Sequence, residues 1–434
     1  MYRKKNLLWN KFKNSTFAIQ FQFNSIMAIP LLKKVAFSLI VIFLGIGKMY
    51  SQLGCTDPLA NNYDPNASQN DGSCIYDPVT LQPTNSYELD EVLAETSGLV
   101  YWNNSLWTQN DSGDINLYEL DPSNGTITNS VSLASQINVD WEEISQDENY
   151  IYVGDFGNNV NGNRTDLKIL RVTKASIAAG TAIIDTINFA YEDQVDFTPQ
   201  GANNTDYDCE AFIISDDAIF LFTKEWVSNA TRVYKLPKTP GTYQAELQDT
   251  FNIEGLVTGS VFKRENGIIA LSGYNSILQP FVFLLYDFTA EDFFGANKRK
   301  LALNLPFHQV EGITTQDGLN YFITNEKFNT TGTPQKLHSL NLTPYLEGYL
   351  SIPSAENIVQ FKIFPNPTTS NIEIKDTQNL FPIKYIVLDV AAKKIMEGTL
   401  STQNSRIDIS ELAEGTYILK LGEKIINSFR VLKK

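Results

Sequence analysis

A short β unit returns five times between residues 97 and 326, and this return constrains the fold more than any other feature of the chain. Each copy opens with a small or acidic residue beside an apolar one. A turn follows, then an apolar strand with a polar end. The copies are Ser97-Gly98-Leu99 with Leu106–Asp111, Glu142-Glu143-Ile144 with Ile151–Asp155, and Glu210-Ala211-Phe212 with Phe220–Glu225. A weaker fourth is Thr258-Gly259-Ser260-Val261 with Ile269–Tyr274, and the fifth is Glu311-Gly312-Ile313 with Tyr321–Glu326. A third strand usually follows, as at Asn116–Leu120, Lys168–Val172 and Arg232–Leu236. Helical periodicity is confined to short stretches such as Lys174–Ala179. The copies begin 45 to 68 residues apart, near the length of a four-stranded propeller blade. The expected fold class is all-β, a five- or six-bladed β-propeller followed by a small Ig-like β-sandwich. The strand near Tyr87–Leu93 is placed to complete the last blade and close the ring. A pair of β-sandwiches is the competing fold, and it leaves the recurrence of acids at one position unexplained.

The expected organisation is a leader at 1–52, a short cysteine module at 53–76, a linker at 77–86, the propeller at 87–346, a second linker at 347–357 and a tail domain at 358–434. In the leader, Lys33-Lys34 precede an apolar run from Val35 to Ile46, and Tyr50-Ser51-Gln52 follow. Basic, apolar, then short and polar is the order of a secretory signal peptide. The run is shorter than the roughly 20 residues that span a bilayer as a helix. Met27 is an alternative start for this leader, and an uncleaved anchor is the alternative reading of its apolar run. No other stretch reads as a membrane span.

Export makes a disulfide between Cys55 and Cys74 expected, and closing such a loop contributes about 3 kcal/mol in the chain-entropy model. Asp57, Asp64, Asn66, Asn70 and Asp71 place oxygen ligands close together there, a donor type that suits calcium. The same residues are ordinary turn formers, so Asp57, Asp64, Asn66 and Asp71 stand as metal candidates beside a plain turn reading. Cys209 is left unpaired and is expected as a small buried residue.

Charge narrows the function classes. Residues 1–52 hold eight Lys/Arg and no acid, whereas residues 53–360 hold 15 basic and 41 acidic residues. Such a surface repels phosphate backbones, which excludes nucleic acid as a natural partner. Cations or cationic ligands suit it, and the surplus acid also serves plain solubility. His308 and His338 are the two histidines of the chain, so multi-histidine metal sites are excluded and a Ser-His-Asp triad is not expected. No nucleophile elbow, phosphate-cradling loop or zinc motif is present.

In a propeller the first strand of each blade lines the central channel. Glu143, Glu210 and Glu311 are expected to project from equivalent positions of three blades, with Asp140 and Asp208 two to three residues earlier. Gly259 stands where the fourth blade would carry an acid. Asp111, Asp155, Lys224-Glu225 and Glu326-Lys327 fall toward one rim. Converging carboxylates repel unless a cation or a bound ligand sits among them, which makes calcium the candidate ion and a cationic group the candidate ligand. The other reading is that each carboxylate caps backbone N–H groups or pairs with a nearby Lys or Arg. Paired carboxylates such as Asp140 with Glu143 also fit glycoside hydrolysis at a suitable separation.

Trp107-Thr108-Gln109-Asn110-Asp111-Ser112-Gly113, Asp140-Trp141-Glu142-Glu143-Ile144, Gly154-Asp155-Phe156-Gly157-Asn158-Asn159 with Arg164, and Asp208-Cys209-Glu210-Ala211 with Thr223-Lys224 resemble uncharacterised exported bacterial β-propellers. These are distantly similar to phytase-like and SdiA-regulated propellers, which bind calcium. The resemblance spans roughly 95–340 and implies Asp140, Glu142, Glu143, Asp155, Asp208 and Glu210 as site residues, to which the alignment adds Asp111 and Glu311. The phosphate-binding set of calcium phytases has no match here, and 15 Lys/Arg over residues 53–360 argue against a highly phosphorylated substrate. The Cys-Thr-Asp-Pro to Asp-Gly-Ser-Cys stretch resembles a short module of secreted Bacteroidetes proteins.

The tail opens Phe361-Lys362-Ile363-Phe364-Pro365-Asn366-Pro367 and continues as alternating apolar strands to Lys433-Lys434. Turns every 8–12 residues fit a small β-sandwich. Its Pro-Asn-Pro element, the Asp389 to Lys393 turn and the Leu412 to Tyr417 stretch resemble the C-terminal sorting domain of the type IX secretion system of Bacteroidetes. That resemblance implies the type IX machinery as a partner and a secreted or outer-membrane cell-surface location. The expected function is an exported propeller that binds an extracellular ligand or partner, with calcium as the candidate ion. A calcium-dependent hydrolase of phosphoesters or glycans and a structural or adhesive surface protein are the alternatives.

Overall fold

A computed structural model describes residues 52–351, 361–376, 382–389, 393–401, 405–422 and 427–434. The leader expected at 1–52 lies outside the described residues but for Gln52, and so does most of the linker expected at 347–357.

Residues 96–341 form five antiparallel meanders. The first runs through Thr96–Trp102, Ser105–Asn110, Asn116–Leu120 and Ile127–Ser132, and the second through Trp141–Gln146, Tyr150–Asp155, Lys168–Thr173 and Ile184–Tyr191. The third holds Asp208–Ile214, Ala218–Lys224, Thr231–Pro237 and Gly241–Phe251, and the fourth Leu256–Lys263, Ile268–Tyr274, Pro280–Tyr286 and Asn297–Leu303. The fifth supplies Val310–Thr315, Asn320–Asn325 and Lys336–Asn341, and its outer strand comes from far earlier in the chain: Asn85–Glu88 pairs antiparallel with Lys336–Asn341. First strands neighbour each other in chain order, and the fifth returns to the first. The architecture is β-propeller-like. A parallel pairing of Ile184–Tyr191 with Gly241–Phe251 joins the second and third meanders into one eight-stranded sheet.

The second strands explain why the sequence reads as apolar runs instead of alternating ones. Ala218–Lys224 and Ile268–Tyr274 are buried at every position, because both faces of each sheet are covered by neighbours. Ile219 and Leu221 enter the core shared with the second meander, while Phe220 and Phe222 enter the core shared with the fourth. Side chains alternate between faces along a strand, so one strand serves two cores. Each buried phenylalanine contributes about 1.5–3 kcal/mol by leaving water. Five such cores fill the spaces between successive meanders, including the closing one, where Leu99 and Leu106 meet Leu89, Leu93 and Leu337.

The segment expected as a linker at 77–86 belongs to this fold. Val79–Leu81 adds a parallel strand to the fourth meander, and Asn85 begins the closing strand. The closing strand expected at Tyr87–Leu93 is thus Asn85–Glu88, and Glu91–Leu93 is a 3₁₀ turn capped by Asp90. His338 fastens this closure, with Nδ1 2.7 Å from Ser86 Oγ and Nε2 2.9 Å from Asn325 Oδ1.

Cys55 and Cys74 form a disulfide, and the module around it rests on the fourth meander. Asp57 is buried, and its Oδ2 accepts the hydroxyls of Tyr76 at 2.8 Å and Tyr286 at 2.6 Å. Thr56 donates to Asp287 at 2.6 Å. Cys209 is free and buried. In the tail, Phe361–Phe364, Asn371–Asp376 and Arg406–Asp408 form one sheet, and four strands between Ile383 and Lys433 form a second. Ile372, Ile374, Val387, Ile407, Leu419 and Val431 share their core.

Candidate functional site

One backbone feature repeats in all five meanders. Near its start, each first strand slips register against the second. The residues left out of the pairing are Ser97, Glu142, Glu210, Thr258 and Glu311, the first and last with the glycine that follows. A bulge of this kind re-aims a side chain. Here it presents three glutamates and two hydroxyls at one end of the channel. The two hydroxyls turn to structure: Ser97 donates to the carbonyl of Glu142 and Thr258 to that of Val310, each on the next meander.

This register corrects the alignment read from the sequence. Glu142, not Glu143, is equivalent to Glu210 and Glu311, and Thr258, not Gly259, is the fourth member. Glu143 falls one position further along, where the other meanders carry Gly98, Ala211, Gly259 and Gly312. Those glycines leave no room: a Cβ on Gly259 would stand 2.0 Å from the Glu311 carbonyl oxygen. Glu143 is fully buried, and its carboxylate accepts the backbone N–H of Ile144 at 2.8 Å and of Ser260 at 2.6 Å. It is a plug across the channel, in keeping with the capping reading.

Above the plug, Glu142, Asp208 and Glu210 place carboxylate oxygens within 4.8 Å of one another, the one such trio among the described residues. All three are at most 5% exposed. Asp208 is fixed by the backbone N–H of Asn158 at 2.6 Å, that of Cys209 at 3.1 Å and the indole N–H of Trp226 at 2.8 Å. Glu210 pairs with the ammonium of Lys224, which lies 4.7 Å from the Trp226 ring centre and 5.2 Å from that of Tyr274. No donor among the described residues hydrogen-bonds the Glu142 carboxylate. Gly157 makes the crowding feasible, since a Cβ there would stand 2.2 Å from Glu142 Oε1 and 2.5 Å from Asp140 Cγ.

The acids extend beyond the trio. Glu311 is 6% exposed, interacts with Glu210, and has a buried Oε2 with no hydrogen-bond partner. Asp111 likewise has an unpartnered buried Oδ1 and lies among Glu95, Glu326 and Asp140. Burial first, and neighbouring acids second, hold Glu142 and Glu210 well above the usual carboxylate range, with Lys224 opposing the rise. Burial also pushes Asp111 and Glu311 to about 8, Glu326 to about 7 and Asp140 to about 6. Burial would lower Lys224, but Glu210, Tyr274 and Glu311 carry it well above its ordinary value. The mouth therefore holds more carboxyls than its one buried ammonium can neutralise.

Other expected site residues are spent elsewhere. Asp155 is fully buried in ion pairs with Arg164 and Lys168, both at 2.8 Å. In the disulfide module the metal candidates do not converge. Asp57 is held by two tyrosines and by the N–H of Leu59 at 2.8 Å. Asp64 accepts from the N–H and side-chain amide of Asn66 and from Gln52, and Asp71 from the N–H of Ser73. These are Asx turns. Sequence reasoning missed the roles of Glu95, Gly157, Trp226 and Tyr274. It also missed Gln109, which is fully buried with neither amide atom partnered. The signal was its place at a strand end beside Asn110 and Asp111.

Residues 362–431 match the family described as the secretion system C-terminal sorting domain. The tail marks an exported protein handled by the type IX machinery, secreted or held at the cell surface. Among the described residues no helix is long and apolar enough to cross a membrane. No curated protein matches the chain. The WD40 repeats of RRP9 are similar at 7% identity with a TM-score of 0.33, over 61% of this chain and 100% of that one. A chain of the mitotic checkpoint complex gives 9% identity and a TM-score of 0.33, over 61% and 97%. The extracellular domain of the proposed one-component system BT4673 of B. thetaiotaomicron gives 10% identity and a TM-score of 0.28, over 83% and 60%.

Proposed function

We infer that this chain is an exported five-bladed β-propeller, with an Ig-like sorting tail, that captures a cation or a cation-bearing partner at its acidic channel mouth. The reading rests on one observation: three buried carboxylates, Glu142, Asp208 and Glu210, lie within 4.8 Å of one another with a single ammonium among them. Calcium is the proposed ion, because it takes several oxygen ligands in flexible geometry and the donors here are all carboxylates. The buried oxygens of Glu311 and Asp111 that lack a hydrogen-bond donor add to the unmet demand for a cation at this mouth. Calorimetric titration of the purified full chain with calcium tests this. A saturable one-site isotherm, lost in Glu142→Gln, supports the reading; no heat of binding with folded protein removes the ion from it.

A second reading has its own support. Glu311 keeps its proton up to about pH 8 and lies against Glu210. A carboxyl held neutral near pH 7 is what a general acid of hydrolysis requires. Turnover of a glycan library that disappears in Glu311→Gln would move the protein to this class. Turnover unaffected by that change would exclude it.

A further inference from the structure

Strands alternate in direction within each meander, so two kinds of loop ring the acidic mouth. One leads from a fourth strand into the next first strand, and the other joins a second strand to a third. Between residues 85 and 341, seven large apolar side chains are more than half exposed. Six of them stand on these mouth-side loops: Ile137, Val160, Val195, Val227, Ile277 and Phe307. The seventh, Ile183, lies at the opposite end. Single exposed apolar residues are ordinary on a protein surface, but chance would divide them between the two ends. We propose that this face docks a polypeptide segment presenting an arginine or lysine between apolar residues, with the cation at the acidic mouth and its neighbours on the apolar loops.

Hydrogen bonds tie these loops to the residues of the mouth. Asn138, next to Ile137, donates to the carbonyls of Asn110 at 3.1 Å and Asp114 at 2.9 Å, on either side of Asp111. The Phe307 N–H donates to the Leu278 carbonyl at 3.0 Å, which joins its loop to that of Ile277. The Glu326 N–H donates to the carbonyl of Gln309, two residues after Phe307, at 3.2 Å. Asp111, Asp140 and Glu326 are partly exposed and Glu95 is exposed, and Asp111 lies among the other three. Behind them Glu311, 6% exposed, has an Oε2 with no hydrogen-bond partner. The basic side chains Lys224, Arg164 and Lys327 are already paired with Glu210, Asp155 and Glu91.

The proposal rests on the cation-site reading above and names the kind of partner that site takes. A bare ion would answer the carboxylates and leave the apolar loops in water. An anionic membrane surface is repelled, since residues 53–360 hold 15 basic and 41 acidic residues. A cationic side chain set among apolar neighbours meets both demands. Arginine with aromatic or apolar surroundings is also the side chain that most often anchors a protein interface.

The test is calorimetric titration of the full chain at pH 8 with a capped leucine–arginine–phenylalanine tripeptide. The controls are the same peptide with neutral citrulline in place of arginine, and a capped glycine–arginine–glycine. The tripeptide should bind saturably and in competition with calcium, with each control at least about tenfold weaker. The triple variant Ile137→Ser, Ile277→Ser, Phe307→Ser should weaken the tripeptide at least about tenfold. Its melting temperature should be unchanged and its calcium affinity within about threefold of wild type. Either control binding as well as the tripeptide, or full tripeptide affinity in the triple variant, would overturn the proposal. So would a wild-type dimer that the triple variant abolishes, or cosedimentation with phosphatidylcholine vesicles, since either gives the face to another occupant. Calcium binding without tripeptide binding would overturn this proposal and leave the cation site standing; loss of both would remove the cation site too.

Discussion

The Glu143 carboxylate accepts the backbone N–H of Ser260 at 2.6 Å, tying the second meander to the fourth across the channel. Its other oxygen accepts the N–H of Ile144 at 2.8 Å. An orphaned buried N–H costs about 1–3 kcal/mol. Glu143→Ala should therefore lower stability by roughly 2–5 kcal/mol, measured as a denaturant midpoint, with calcium affinity within about threefold of wild type. A wild-type midpoint together with lost calcium binding would instead make Glu143 a ligand.

The acidic mouth predicts an inverted pH dependence. Burial raises Asp140, Glu326, Asp111 and Glu311 to values from about 6 to about 8. Above the ordinary carboxylate pKa the unfolded chain has released these protons while the folded chain still holds them. Stability therefore falls as pH rises from about 4 to about 8. In EGTA the calorimetric melting temperature should be higher at pH 5.5 than at pH 8. Calcium should offset that fall, so its stabilising shift should be larger at pH 8. Equal calcium shifts at the two pH values would contradict this.

Gly157→Ala tests the crowding of Glu142 and Asp140. The added methyl meets side-chain atoms that are able to turn away, so the fold should survive. The carboxylates should not keep their places, and calorimetry should find calcium at least tenfold weaker. An unchanged affinity would show that Glu142 does not need its present position.

Lys224→Met removes the resident cation. Glu210 then loses its buried partner, and breaking a buried pair costs about 3–5 kcal/mol. In EGTA the variant should melt below wild type, and the rise on adding calcium should exceed the wild-type rise. A smaller rise would mean that Lys224 helps to bind the ligand.

The repeat and the clustering of acids at one end were legible because strand starts and polar strand ends recur with recognisable chemistry. The position of Glu142 was not, because a bulge shifts register by one residue without any sequence signature; Glu142-Glu143 offers two acids, and the backbone picks the first. Gly259 was misassigned for the same reason. Val79–Leu81 and the first two residues of Asn85–Glu88 read as linker because these strands are only three and four residues long and draw their partner strands from more than 200 residues away. The turn carboxylates Asp64 and Asp71 looked like ligands because Asx turns and calcium loops use the same side chains.

The most direct measurement is anomalous diffraction from crystals of the chain soaked in terbium, a calcium substitute. The account predicts a strong peak bounded by the carboxylates of Glu142, Asp208 and Glu210, with the Lys224 ammonium moved off Glu210. Full terbium occupancy elsewhere, with none at this trio and Lys224 still on Glu210, would contradict it.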